Sequence, residues 1–141
     1  MSDDPGELAE QVSAVLRHLV LLLRRTTAGQ PVTSQQYSVL GSLERGPRRM
    51  TELAEEHAVQ LPTMTVQINR LEDAGLVARG SDPADARVRT VELTDEGRRR
   101  LLAVRQARIG HLSQELAALS AQERAALRDA LPVLAKLGKT Q

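Results

Sequence analysis

The sequence predicts a mainly helical chain interrupted once by a small β-hairpin, and three observations carry that expectation. Leu, Ala and Val dominate the apolar set, Trp and Phe are absent, and there is one Tyr; straight-chain side chains and Ala lose little rotamer freedom in a helix. Through most of the chain these residues recur at three- and four-residue steps, the period of one helix face. Between positions 76 and 93 the pattern changes: the second half of that stretch is rich in Val and Thr, and a turn-rich Asp82-Pro83-Ala84-Asp85-Ala86 lies in its middle.

The elements follow in order. Asp4 before Pro5 reads as an N-cap with proline in the first turn. Leu8, Val12, Val15, Leu16, Leu19, Val20 and Leu23 then mark one long amphipathic helix ending before Thr26-Thr27-Ala28-Gly29. Pro31 punctuates, and Thr33-Ser34-Gln35-Gln36 has capping-box spacing. Tyr37, Val39, Leu40 and Leu43 face inward on a second helix that Gly46-Pro47 stops. Thr51 is expected to cap a short third helix from 52 to about 57, with Leu53 and Ala54 buried. A fourth helix spans 62–74, and Gly75 occupies the position favoured for a left-handed C-cap. Residues 76–81 and 87–93 read as two strands joined by a long tip at 82–86. Thr94 caps a fifth helix, whose Asp95 and Glu96 suit the positive helix start. Ser120-Ala121-Gln122-Glu123 is a second capping box, opening a sixth helix with Leu127, Leu131, Leu134 and Leu137. Pro132 inside it removes a hydrogen bond and is expected to bend it.

Composition excludes several classes. With no Cys, disulfides, thiolate metal sites and thiol redox sensing are ruled out. Three widely spaced His give no metal-ligand spacing, and no nucleophile–base–orienter group or phosphate loop appears. Glu55 and Glu56 are adjacent on a helix and point apart, so they form no acid–base pair. No cofactor, no metal and no catalysis are therefore expected. The leucine run at 19–23 is too short to span a membrane and is bracketed by Arg and His. The acidic start is unlike a signal peptide, so a cytoplasmic protein is expected. Lys and Arg number 19 against 18 Asp and Glu, net +1. Any nucleic-acid affinity must therefore come from local charge placement and from doubling in a dimer.

Three consecutive helices followed by a β-hairpin is the layout of a winged helix-turn-helix. Residues 58–61 form a turn of the right length between helices three and four. In such units the later helix enters the major groove. On the 62–74 helix, Met64, Ile68 and Leu71 mark the packed face. Pro62, Thr63, Val66, Asn69, Arg70 and Asp73 mark the opposite face, with Thr65 and Gln67 on its flanks. Thr, Gln, Asn and Arg pair with base edges, and an exposed Val suits a thymine methyl.

The run from Asp82 to Gly97 resembles the wing signature of the multiple antibiotic resistance regulator (MarR) family at Asp82-Pro83, Asp85, Arg87, Val91, Leu93-Thr94 and Gly97. Arg70-Leu71-Glu72 with Gly75-Leu76-Val77, and Leu53-Ala54, are similar to other parts of the same family pattern. The resemblance covers essentially the whole chain. It implies that Arg87 reaches the minor groove from the wing tip, where a narrow groove draws in a guanidinium, and that Asp85 holds that side chain or the loop. Arg79 and Arg89 are candidate phosphate contacts. A local Asp85–Arg87 ion pair that only stiffens the loop is the competing reading. Two positions depart from the family habit: Val66 stands where Arg or Lys is common, and Gln67 where an aliphatic residue is usual. The Arg98-Arg99-Arg100 run is read as a solvated helical face.

Helices one, five and six carry more Leu than one small domain buries. The resemblance implies an intertwined homodimer: residues 1–30 and 98–141 dimerise, and 31–97 read DNA. Two-fold symmetry then predicts a pseudo-palindromic duplex site with reading helices ~34 Å apart. A repressor is expected, with a small-molecule effector as its releasing ligand; His18, Tyr37 and His111 are the candidate lining groups. The rival readings are a winged-helix protein that binds another protein, which near-neutral charge and Val66 favour, and an enzyme, which nothing favours.

Overall fold

The computed structural model describes residues 3–30 and 32–139. Pro31, read above as punctuation, lies outside the described residues. The order is α1 (Pro5–Thr27), α2 (Ser34–Ser42), β1 (Arg48–Arg49), α3 (Met50–Glu56), α4 (Leu61–Asp73), β2 (Val77–Asp82), β3 (Asp85–Leu93), α5 (Asp95–Ala117) and α6 (Ala121–Leu134). The mainly helical class with a small hairpin wing is thus the observed one. The chain divides into two compact units, meeting in sequence between Ala107 and Arg108.

Local signals set most of the helix ends. The Asp4 carboxylate accepts from the Glu7 N–H at 3.2 Å, and Thr33 and Gln36 complete a reciprocal capping box on α2. α1 runs on through Thr26 and Thr27, beyond the stop expected before them. The Thr26 hydroxyl donates to the Leu23 carbonyl at 2.6 Å and the Thr27 hydroxyl to that of Arg24 at 3.0 Å. These bonds let the last turn close before Gly29 takes a positive φ of 81°. α2 ends at Ser42, short of Gly46-Pro47, because the chain passes into hydrogen-bonded turns at Leu43 and Gly46.

Two expectations around α3 are corrected. Arg48–Arg49 forms a third strand, so the sheet order is β1-β3-β2, with Arg48 opposite Val91 and Arg49 opposite Thr90. Thr51 does not cap α3: the helix starts at Met50 directly out of the strand, and Arg49 at the cap position makes no side-chain cap bond. Between α3 and α4, Ala58 adopts a left-handed φ of 53°, a conformation costing a non-glycine residue about 1 kcal/mol. The turn is closed by the Val59 N–H on the Ala54 carbonyl at 3.0 Å. Leu61, assigned above to the turn, is the first residue of α4.

The end of α4 is a Schellman motif. Gly75 at φ 76° donates to the Glu72 carbonyl at 2.9 Å, and the Leu76 N–H donates to that of Leu71 at 2.9 Å. Leu71 and Leu76 are both buried and carry the apolar contact that goes with it. The hairpin tip is short, not long: β3 starts at Asp85, leaving only Pro83 and Ala84 between strands. The register passes from Ser81 opposite Arg89 to Asp82 opposite Asp85. One step on β2 therefore matches four on β3, and Ala86, Arg87 and Val88 form a bulge.

The core joins Val39, Leu40 and Leu43 of the α2 segment, Leu53 of α3, Met64, Ile68 and Leu71 of α4, Val91 of the sheet and Leu101 and Val104 of α5. At the start of α5 the Thr94 hydroxyl accepts from the Gly97 N–H at 3.0 Å and donates to the Gly75 carbonyl at 2.6 Å. In the second unit, Ser120 and Glu123 complete the capping box of α6. The Arg124 guanidinium donates to the Leu116 and Leu119 carbonyls at the preceding helix end. Pro132 lies inside α6, which stops two residues later.

Candidate nucleic-acid interface

α4 is held by its buried Met64, Ile68 and Leu71, which leaves Pro62, Thr63, Val66, Asn69 and Arg70 exposed and Thr65 and Gln67 half-buried. Several of these polar groups already have partners. The Thr65 hydroxyl donates to the Leu61 carbonyl at 2.9 Å, and the Gln67 amide to Gln35 at 3.5 Å. Arg79 on β2 donates to the Asn69 Oδ1 at 2.6 Å. Val66 is 49% exposed, an apolar contact surface on an otherwise polar face.

The wing is ordered by its carboxylates. Asp82 accepts from the Ala84 N–H at 2.8 Å and from Arg49 Nη2 at 2.9 Å; these bonds, the backbone one first, hold its pKa below the ordinary 3.8. Asp85 accepts from Arg87 Nε at 3.1 Å, Nη2 at 3.2 Å and the backbone N–H at 3.0 Å. The Arg87 side chain is the first cause of its lowered pKa, and the backbone bond the second. The stiffening ion pair exists, yet the Arg87 side chain stays 91% exposed. The bulge lifts it out of the ladder, and the pair orients it without burying it.

Between the wing and the helices runs a groove of about 630 Å³ lined by Arg49, Arg79, Arg87 and Arg89, with Leu61 and Thr65 among its other walls. Thr65, Arg79, Arg87 and Arg89 are thus brought together. Gln67 and Arg70 line a different cleft of about 510 Å³ with Arg24 and the start of α2. Pro62, Thr63, Val66 and Asn69 line neither. Arg49 was missed in the sequence; a basic pair after Pro47 is a weak signal, and only its pairing with β3 brings it to the wing. Arg89 and Arg70 form no ion pair among the described residues, whereas Arg99 and Arg100 are held by Glu96.

The three candidate effector groups lie on three different helices. His18 is exposed on α1, and Tyr37 is half-buried on α2. Tyr37 and Glu44 hydrogen-bond Arg105, with Glu44 the larger influence, and raise its pKa further above the usual guanidinium range. His111 lies in the second unit, 3.8 Å from Glu115. Among the described residues no cluster of His, Cys, Asp and Glu fit for a metal ion occurs, and no helix is long and apolar enough to cross a membrane.

A family model described as the MarR family matches residues 30–88. The chain is 33% identical over 138 residues to an uncharacterized HTH-type transcriptional regulator of Mycobacterium bovis, covering 97% of this chain and 96% of the relative. It is 33% identical over 111 residues to the HTH-type transcriptional repressor MdtR of Bacillus subtilis, covering 78% and 70%. Among solved structures, a mutant MarR from E. coli complexed with operator DNA superposes with TM-score 0.70 at 28% identity, covering 91% of this chain and 93% of that one.

Proposed function

Since the chain belongs to the MarR family of DNA-binding transcriptional regulators, we propose that it is a homodimeric repressor, working in the cytoplasm on a pseudo-palindromic duplex site. In this reading residues 31–97 read DNA. α4 enters the major groove with Thr63, Thr65, Val66, Gln67, Asn69 and Arg70 toward the bases, and Pro62 starts the helix at the groove edge. Arg87, steadied by Asp85, enters the minor groove, while Arg89 contacts phosphate. The observation that carries the reading is the bulged, solvent-directed Arg87 beside a groove lined by four guanidiniums. Four guanidiniums gather there in a chain that is near neutral as a whole, and phosphate neutralisation supplies most sequence-independent affinity.

Residues 1–30 and 98–141 supply the dimer contacts. Leu8, Val15, Leu16 and Leu19 of α1, Ile109 and Leu112 of α5, and Leu127, Leu131 and Leu134 of α6 are all exposed in the single chain. Apolar stripes of this length need a cover. The MdtR relative is a repressor, which supports repression here; a small-molecule effector near His18, Tyr37 or His111 is the releasing signal we assign.

The test is binding to upstream fragments and to random duplex across a salt series, with Arg87→Ala alongside. The expected result is a selected palindromic site, a steep salt slope, and a loss of roughly tenfold or more for the variant. Equal, feeble binding to every duplex, unmoved by Arg87→Ala, would point instead to a protein partner.

A further inference from the structure

Arg79 on β2 reaches across to α4, where its Nη2 donates to the Asn69 Oδ1 at 2.6 Å. Glu72 stands 3.9 Å from Arg79 Nη1 on the same helix, so α4 holds the guanidinium at two points. A guanidinium has five donors and no acceptor. The Asn69 atom that faces it must therefore be the amide oxygen, since the reversed amide would set N–H against N–H. Asn69 is exposed, and its Nδ2 group has no partner among the described residues.

We infer that Arg79 is a positioning residue for base readout, one that fixes Asn69 as a hydrogen-bond donor; the inference rests on the reading that α4 enters the major groove. An asparagine that pairs with adenine uses both ends of its amide, the oxygen accepting from N6 and the nitrogen donating to N7. Here one of the oxygen's two lone pairs already receives a charge-assisted bond, of the stronger class, and the guanidinium charge beside the other disfavours a second donor such as N6. The free NH2 group suits an edge made of acceptors. Guanine presents two, N7 and O6, and thymine presents O4. Asn69 therefore selects an acceptor edge, guanine first, in place of the adenine that a free asparagine favours. This role differs from the phosphate contact expected of Arg79, and the two separate by experiment.

Wild type, Asn69→Ala, Arg79→Gln and Arg79→Lys are each used to select sites from a randomised duplex library, with folding checked by circular dichroism and melting. Wild type is expected to prefer guanine at one position of each half-site, and Asn69→Ala to flatten that position alone. Gln both donates and accepts, so Arg79→Gln frees the amide to turn, and adenine gains there by roughly fivefold or more relative to guanine. Lys is a donor only, and Arg79→Lys keeps the wild-type base. The inference is overturned if Arg79→Gln weakens every sequence alike and lowers the salt slope by about 0.9, the mark of one lost phosphate contact. It is also overturned if Asn69→Ala leaves every position unchanged while wild type still selects a site. A wild type that selects no site removes the groove reading itself, and this inference with it.

Discussion

Replacing Gly97 by alanine adds one methyl group where the first turn of α5 passes the start of the wing. In an open helix that change stabilises by up to about 1 kcal/mol. Here a Cβ would lie well inside contact distance of the Leu76 carbonyl oxygen, 3.0 Å from the Leu76 carbonyl carbon and 3.2 Å from Leu93 Cδ2. Two of those three atoms are backbone, so the strain cannot be relieved by turning a side chain. The Leu76 carbonyl also accepts from the Thr94 N–H at 3.1 Å, and Leu76 donates the closing bond of the Schellman motif. Overpacking of this kind costs about 1–3 kcal/mol, and a disturbed hydrogen bond adds about 1 kcal/mol. We expect Gly97→Ala to lose about 3 kcal/mol, which lowers the melting temperature of a chain this size by roughly 10 °C. Gly41 in α2 is the control: a Cβ there meets nothing within 4 Å, so Gly41→Ala should gain about 0.5 kcal/mol. Urea and thermal melts at one fixed protein concentration measure both. A Gly97→Ala melting at or above wild type would refute the claim that α5 packs against the Leu76 backbone at this point.

Two more expectations concern the wing and the terminal helices. The folded-state pKa values of Asp82 and Asp85 lie below the ordinary 3.8, so their support of the wing is complete above that value and is lost only as pH falls through the depressed ones. The Ala84 and Arg87 amide resonances should hold steady from neutral pH to about 5 and move only below the usual carboxylate range; a midpoint at or above that range would refute the assignment. Leu131→Glu places a charge on an exposed α6 residue. Sedimentation should show this variant as monomer with its helix content kept, whereas an unchanged dimer would exclude that face from the interface.

Legibility in the sequence followed the range of the interaction. The capping boxes at Thr33 and Ser120 and the Schellman end at Gly75 each depend on residues within about one turn, and all three were readable from spacing. β1 was not, because two residues carry no period and Arg48–Arg49 becomes a strand only through Val91 and Thr90, more than forty positions on. The bulge at 86–88 was hidden for the same reason. Pro and Asp marked a turn, but the register that shortens the tip and extrudes Arg87 is set by the opposing strand. In α4, periodicity separated the buried face from the open one. It did not show that Asn69 and Gln67 already have partners, since those bonds come from β2 and α2.

The same partners show how a chain of net charge +1 gathers four arginines in one groove. Three of the four arginines there are held by carboxylates or an amide: Arg49 by Asp82 and Glu52, Arg79 by Asn69 and Glu72, Arg87 by Asp85. These ion pairs lie at the surface, at least partly exposed, and surface pairs contribute little to stability. Their consequence lies in geometry, because each fixes where a long, flexible guanidinium points before any phosphate arrives. A phosphate that approaches must compete with the resident carboxylate, which lowers affinity for an arbitrary duplex. A site that offers good base contacts to α4 loses proportionately less. Under the proposed DNA reading, balanced charge on this face thus favours discrimination between sequences over sheer affinity, and Arg89, which has no ion pair among the described residues, is the proposed general phosphate contact.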